Sequence, residues 1–256
     1  MASSWENNKV SDINFQIYKI WHDGGLPLLS KKLDIEQNLK NPGSMIRISA
    51  STGCGKSTLL PQIIWIDREN IDPSITKVIV LEPGNFESQL LFSYSHSTIN
   101  QICENQIHLC YNDRKIFSPE TKGIIYTTYE KFIGALIIAK KQFVEMNAVI
   151  VLDEFQLRKV SQDAIFSFLK YYIQNEVKKN IRMVLNLPIE ISTNTNFITD
   201  KIFKIEIKEF VEEVDIQYVR RCKAIEAAGR IVQVLEKIEE KEKNAGTLDE
   251  PGHVLL

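Results

Sequence analysis

The sequence predicts an α/β fold: a mostly parallel sheet with helices on both faces. Three observations predict it. Val78-Ile79-Val80-Leu81 and Ala148-Val149-Ile150-Val151-Leu152 are apolar runs without alternation, the pattern of strands buried on both faces. Short apolar runs then alternate with helical stretches from residue 45 to residue 207, which is strand–helix–strand order. Finally, a glycine-rich segment, Ala50 to Thr58, joins one such run to an apolar helical stretch.

Each element has its own justification. Residues 1–25 are polar and end on Asp23-Gly24-Gly25, a turn signal, so they are expected to form an appended N-terminal segment. Residues 26–41 carry Leu28, Leu29, Leu33, Ile35 and Leu39 at helical spacing and stop at Asn41-Pro42-Gly43. The expected strands are Met45–Ala50, Lys77–Leu81, His108–Tyr111, Gly123–Thr127, Ala148–Leu152, Ile181–Leu185 and Ile202–Ile207. Lys223 to Lys243 is a long helical pattern, apolar at Ile225, Ala228, Ile231, Val232, Leu235 and Ile238. It fades into a charge run and then the turn-rich Asp249-Glu250-Pro251-Gly252. The expected organisation is therefore one domain over 26–222, a connecting helix and linker over 223–252, and the start of a further apolar segment at 253–256.

Composition narrows the function classes. A chain of 256 residues corresponds to one or two domains. With 44% hydrophobic residues and a net charge of −2, it is too apolar and too neutral to be disordered overall. Any nucleic-acid binding must come from a local groove and not from bulk charge. Cys54, Cys103, Cys110 and Cys222 show no zinc or redox spacing and are expected to be reduced, buried thiols. His22, His96, His108 and His253 show no metal spacing either. The longest apolar run, Phe132 to Ala139, is far shorter than the roughly 18 residues a membrane helix requires. With no apolar leader in the first fifteen residues, the expectation is a soluble, intracellular protein.

Ala50-Ser51-Thr52-Gly53-Cys54-Gly55-Lys56-Ser57-Thr58 has the composition of a phosphate-binding loop between strand and helix. Gly53 and Gly55 permit the turn that points successive N–H groups at phosphates, so the binding set is Gly53, Cys54, Gly55, Lys56, Ser57 and Thr58. The helix expected to begin near Lys56 adds its positive end. Lys56 brings a point charge to the β- and γ-phosphates, and the Ser57 hydroxyl is a ligand for Mg²⁺. Ala148–Leu152 leads into Asp153-Glu154, placing two acids at the ligand edge of a parallel sheet. Asp153 is the candidate metal residue and Glu154 the candidate general base for an attacking water. A helix N-terminus carrying acids in its first turn is the structural alternative for this pair.

These motifs resemble the superfamily 2 helicases, most closely the DEAH-box branch. The resemblance rests on Ala50 to Thr58 followed by Leu59-Leu60-Pro61-Gln62, and on Asp153-Glu154-Phe155-Gln156. Leu26-Pro27 is similar to the branch's lead-in, and Val78 to Pro83 to the strand of motif Ia. Gly123 to Thr128 is similar to motif Ib, and Arg182 to Pro188 stands where motif III belongs. The resemblance implies a RecA-like P-loop NTPase domain over 26–222 and hydrolysis of ATP with Mg²⁺. It implies work on RNA first and DNA second, with nucleic-acid contacts through Thr127 and Thr128. It also implies that 253–256 opens a second RecA-like domain, whose arginines a full motor requires, so this chain alone is expected to turn over slowly.

Three departures qualify the resemblance. Gln156 stands where the branch has His; it is assigned a catalytic-site role as a hydrogen-bonding link toward motif III. Asn186-Leu187-Pro188 lacks the hydroxyls of motif III, and Gly84-Asn85 lacks the arginine of motif Ia. These departures motivate a second reading, a nucleotide-gated binding module that has lost unwinding. A phosphate-loop small-molecule kinase ranks below both, because such kinases do not need an Asp-Glu strand end so far downstream. Strand propensity is the alternative explanation for Thr127 and Thr128. Packing is the expected role of Tyr94, Tyr126 and Tyr129, with base stacking the alternative.

Overall fold

A computed structural model describes residues 27–99, 103–175, 180–188 and 202–207. All of them belong to one compact unit. The segments expected at 1–25, 223–252 and 253–256 lie outside the described residues, as does the end of the 26–222 domain.

The runs read as strands are strands: β1 Met45–Ala50, β2 Lys77–Glu82, β3 Ile107–Leu109, β4 Gly123–Thr128, β5 Ala148–Leu152, β6 Ile181–Leu187 and β7 Phe203–Ile207. They form one sheet in the order β3-β4-β2-β5-β6-β1-β7, and every pairing is parallel. Bounds shift by one or two residues. β2, β4 and β6 extend past the apolar run because their polar ends still pair with a neighbouring strand or lie level with its end. β3 is shorter than expected: after Cys110 the chain turns away, and the Tyr111 hydroxyl donates to the Asn85 carbonyl.

Side chains alternate across a strand, so each strand feeds two cores. Ile46, Ile48, Val78, Val80, Val149, Val151 and Val184 point to one face. There they meet α1 (Lys32–Leu39), α2 (Leu59–Ile66), α3 (Arg68–Ile71) and α4 (Asn85–Ile99). Ile79, Leu81, Ile150, Leu152, Met183 and Leu185 point to the other. They meet α5 (Asp113–Ile116), α6 (Tyr129–Ile138), α7 (Lys140–Glu145) and α8 (Val160–Asn175). Helices therefore cover both faces, the arrangement expected of a RecA-like α/β domain. Each buried Val, Leu or Ile contributes about 1.5–3 kcal/mol. A charge introduced at Ile150, buried in the middle of the sheet, would break both the strand and its core.

One helix differs from expectation. Pro27–Lys31 is a 3₁₀ turn and the α-helix starts only at Lys32. The tighter turn changes the angular phase, so Leu28, Ile35 and Leu39 are buried while Leu33 is exposed.

The N-terminal ends of β5 and β6 are held by Arg182, whose side chain is fully buried. Its Nε donates to the Leu39 carbonyl at 2.6 Å and Nη1 to Asn147 Oδ1 at 2.8 Å. Its Nη2 pairs with the Asp72 carboxylate. This network ties α1, the loop before β2 and the N-terminal ends of β5 and β6 together, at the opposite end of the strands from the phosphate loop.

Candidate functional site

The loop after β1 carries the first half of the site. Gly53 and Gly55 adopt φ of +84° and +96°, the left-handed region that side chains resist. A Cβ at Gly53 would meet nothing within 4 Å, so backbone conformation and not space demands glycine there. The helix begins at Leu59 and not near Lys56. Its ladder nonetheless starts inside the loop, since Leu59 and Leu60 both donate to the Gly55 carbonyl, at 2.8 and 3.1 Å. Pro61 falls in that first turn, where a missing N–H is harmless. Lys56 Nζ folds across the loop and donates to the carbonyls of Ala50 at 2.6 Å and Ser51 at 2.8 Å. The lead-in is attached too: Leu28 N donates to the Cys54 carbonyl at 3.3 Å. Cys54 is buried, with its Sγ accepting from Lys56 Nζ at 3.8 Å inside the loop.

The second half is a row of polar residues at the C-terminal ends of neighbouring strands. Glu82 of β2 pairs in register with Thr128 of β4. Leu81 pairs with Leu152, and Asp153 N donates to the Leu81 carbonyl at 3.1 Å, which brings Asp153 level with Glu82. Leu185 of β6 pairs with Leu152, which brings Asn186 level with Asp153. The two-residue period then puts Glu82, Asp153 and Asn186 on the same face as Val80, Val151 and Val184, the face on which α2 packs. Asn186 Nδ2 donates to Asp153 Oδ1 at 2.9 Å and to the Lys56 carbonyl at 3.2 Å. One side chain on the intervening strand thus joins the two halves.

Ser57, Glu82, Glu87, Asp153 and Glu154 line one cavity of about 280 Å³, whose apolar lining includes Leu90 and Leu157. A larger depression of about 500 Å³ runs along α8 past Asp163, Ser167 and Lys170 and contains none of the motif residues. The cavity at the strand ends is the better candidate, because strand ends of a parallel sheet are where ligands bind. Oδ2 of Asp153 is buried there and accepts from no donor outside the neighbouring Glu82 carboxyl. An oxygen so placed, with Ser57 lining the same cavity, fits a hard divalent cation. Burial pushes the Glu82 carboxyl well above the ordinary range, and the Asp153 carboxylate beside it acts in the same direction.

Glu154 follows Asp153 in a left-handed conformation, φ 47° and ψ 37°, and its side chain is exposed. Non-glycine residues hold that conformation only where neighbours over-determine it. Here the Glu154 carbonyl accepts from Gln162 Nε2 at 3.0 Å and from Leu157 N at 3.1 Å. The Tyr129 hydroxyl fixes the preceding Asp153 carbonyl at 2.7 Å. Gln156 does not reach toward β6; its side-chain amide donates to the Glu154 carboxylate. The link toward β6 expected of Gln156 is made instead by Asn186.

The structure places Thr127 and Thr128 inside the fold. Both are buried. Thr127 Oγ1 donates to the Cys110 carbonyl at 2.7 Å, and Thr128 Oγ1 caps α6 by accepting from Lys131 N at 3.3 Å. Tyr126 and Tyr129 are buried and Tyr94 is exposed. The described cysteines, Cys54, Cys103 and Cys110, are free and buried. Among the described residues no helix is long and apolar enough to cross a membrane.

Sequence reasoning assigned no role to Glu82 and counted Asn186 only as a lost hydroxyl. The signal for both was present: each follows a buried apolar run, as Asp153 does. No protein-family model matches the chain, and a search of curated proteins finds no match either.

Proposed function

We propose that this chain binds a nucleoside triphosphate with Mg²⁺ and hydrolyses it, as the first motor domain of a helicase-type enzyme acting on RNA or DNA. One observation carries the reading: the loop with Lys56 and Ser57 and the strand end with Asp153 are joined through Asn186. Bound Mg²⁺ would neutralise phosphate charge, held by Ser57 and Asp153. Lys56 exchanges the carbonyls of Ala50 and Ser51 for phosphate oxygens. The loop amides from Gly53 to Thr58 cradle the phosphates. Glu154, exposed at the cavity rim and held by Gln156, takes the proton of the attacking water. ATP is the expected nucleotide.

Titration with a fluorescent ATP analogue, alongside phosphate release, tests this reading. Lys56→Ala is expected to lose binding, while Glu154→Gln keeps binding and loses hydrolysis. Undiminished nucleotide binding by Lys56→Ala would overturn it.

A second reading has its own support. The Thr127 and Thr128 hydroxyls are committed within the fold, and Gly84-Asn85 offers no cation to a nucleic-acid phosphate. Both facts favour a nucleotide-gated binding module without unwinding. Strand displacement by the longest natural form of the protein separates the two readings.

A further inference from the structure

We propose that Glu82 is a second protein carboxylate of the divalent-cation site, acting with Asp153 and the Ser57 hydroxyl. The proposal rests on the nucleotide-site reading above and extends it to a residue that reading does not use.

The geometry begins with register. Leu81 pairs with Leu152, so the next residues, Glu82 and Asp153, end their strands side by side. The strand period turns both side chains to the face that carries the phosphate loop and α2. Both residues are 1% exposed. Oε1 of Glu82 and Oδ2 of Asp153 are each buried and accept from no N–H or O–H donor of another residue, although the two carboxyls lie close enough to share a hydrogen bond, and both residues line the cavity that Ser57 also lines. Two carboxylates taken out of water beside each other are strongly unfavourable unless something compensates them. Nearby cationic side chains do not: Lys56 is turned to Ala50 and Ser51, and Lys159 Nζ donates to the Pro83 carbonyl at 3.0 Å.

A hard divalent cation supplies the missing charge. It takes oxygen ligands in a near-octahedral set and keeps several waters. Two carboxylate oxygens and one hydroxyl leave positions for phosphate oxygens and water. Among the described residues no group of three or more acidic, histidine or cysteine side chains is placed to hold a metal ion by itself. Two carboxylates and one hydroxyl make an open site, which suits a metal shared with a substrate.

Bracing of Asp153 by a neutral Glu82 is the competing role, and Glu82→Gln separates the two. Glutamine keeps the shape and can still donate a hydrogen bond to Asp153, but removes the anionic oxygen. The test is Mn²⁺ alone, titrated into the full chain and followed by the electron paramagnetic resonance signal of free Mn²⁺. The wild type is expected to bind at or below about 1 mM, and Glu82→Gln to weaken binding by about tenfold or more. Wild-type affinity in Glu82→Gln, with weakened binding in Asp153→Asn, overturns the assignment of Glu82 and leaves the nucleotide-site reading standing. Wild-type affinity in both Asp153→Asn and Ser57→Ala overturns the metal site of that reading as well. A readout free of folding effects uses Fe²⁺ with ascorbate and peroxide on the unaltered chain. Backbone cleavage is expected after both β2 and β5. Cleavage near β5 and the phosphate loop without any near Glu82 counts against the proposal.

Discussion

The side-chain amide of Asn186 lies 2.9 Å from Oδ1 of Asp153 and holds the carboxylate against the strand next to the phosphate loop. The same nitrogen donates to the Lys56 carbonyl. Removing it would leave one buried carboxylate oxygen without its donor and uncouple the loop from β5. Asn186→Ala is expected to lower stability by about 1–3 kcal/mol. It should also reduce nucleotide turnover more than nucleotide affinity, because Asn186 positions Asp153 and does not touch the phosphates. Chemical denaturation and a comparison of kcat with KM check this. Equal losses in both kinetic parameters would count against a positioning role.

Thr128 is expected to behave as a helix cap and not as a nucleic-acid contact. Its hydroxyl accepts from Lys131 N at the start of α6. Thr128→Val keeps the shape of the side chain and removes the cap, which is worth about 1 kcal/mol. Thermal unfolding should show that loss. Nucleic-acid affinity, measured by fluorescence anisotropy well below the melting temperature, should stay within twofold of wild type.

These two residues show where sequence reasoning succeeds and where it stops. Strands were legible because burial on both faces writes itself as continuous apolar runs, as in Ala148–Leu152. The positions of Lys56, Ser57 and Asp153 were legible because loop chemistry and strand ends leave local signatures. Register was not legible. Nothing within the run Arg182–Pro188 tells which strand will lie beside it. Asn186 therefore looked like a missing hydroxyl until β6 was seen between β1 and β5. Thr128 failed for the opposite reason, since a hydroxyl at a strand end serves equally as a cap or a contact. Glu82 was hidden by its neighbours' resemblance to another motif.

The Arg182 network predicts acid sensitivity. Burial alone would raise the Asp72 pKa. Hydrogen bonds from Ser74 and the Arg182 guanidinium outweigh it and hold the carboxyl at about 2, below its ordinary 3.8. The folded state therefore favours the ionised form. Its stabilisation is fully present above about pH 4 and disappears as pH falls toward 2. Urea midpoints measured between pH 5 and pH 2 should fall for the wild type across that lower window. In Asp72→Asn the start should be lower at pH 5, by about 1–3 kcal/mol, and the dependence on pH flatter.

Lys77 predicts a dependence of the same sign at alkaline pH. Its ammonium is buried at the start of β2. Nζ donates to the Ser118 carbonyl at 2.7 Å and also to the Thr121 carbonyl. Burial pushes its pKa from 10.5 down to about 8, and the charge of Lys122 adds to the effect. The unfolded chain holds this proton up to about pH 10, whereas the folded chain releases it near 8. This group's contribution to stability therefore rises with pH between those values. Cys103 and Cys110, whose buried thiols are pushed above their ordinary value of 9.0, act with the opposite sign above pH 9. The difference between wild type and Lys77→Met isolates the lysine term. Titration of the lysine ε-methylene resonances by NMR is the direct measurement. One resonance, absent in Lys77→Met, should move with a midpoint near 8. If all the resonances titrate near 10.5, the buried ammonium is not destabilised.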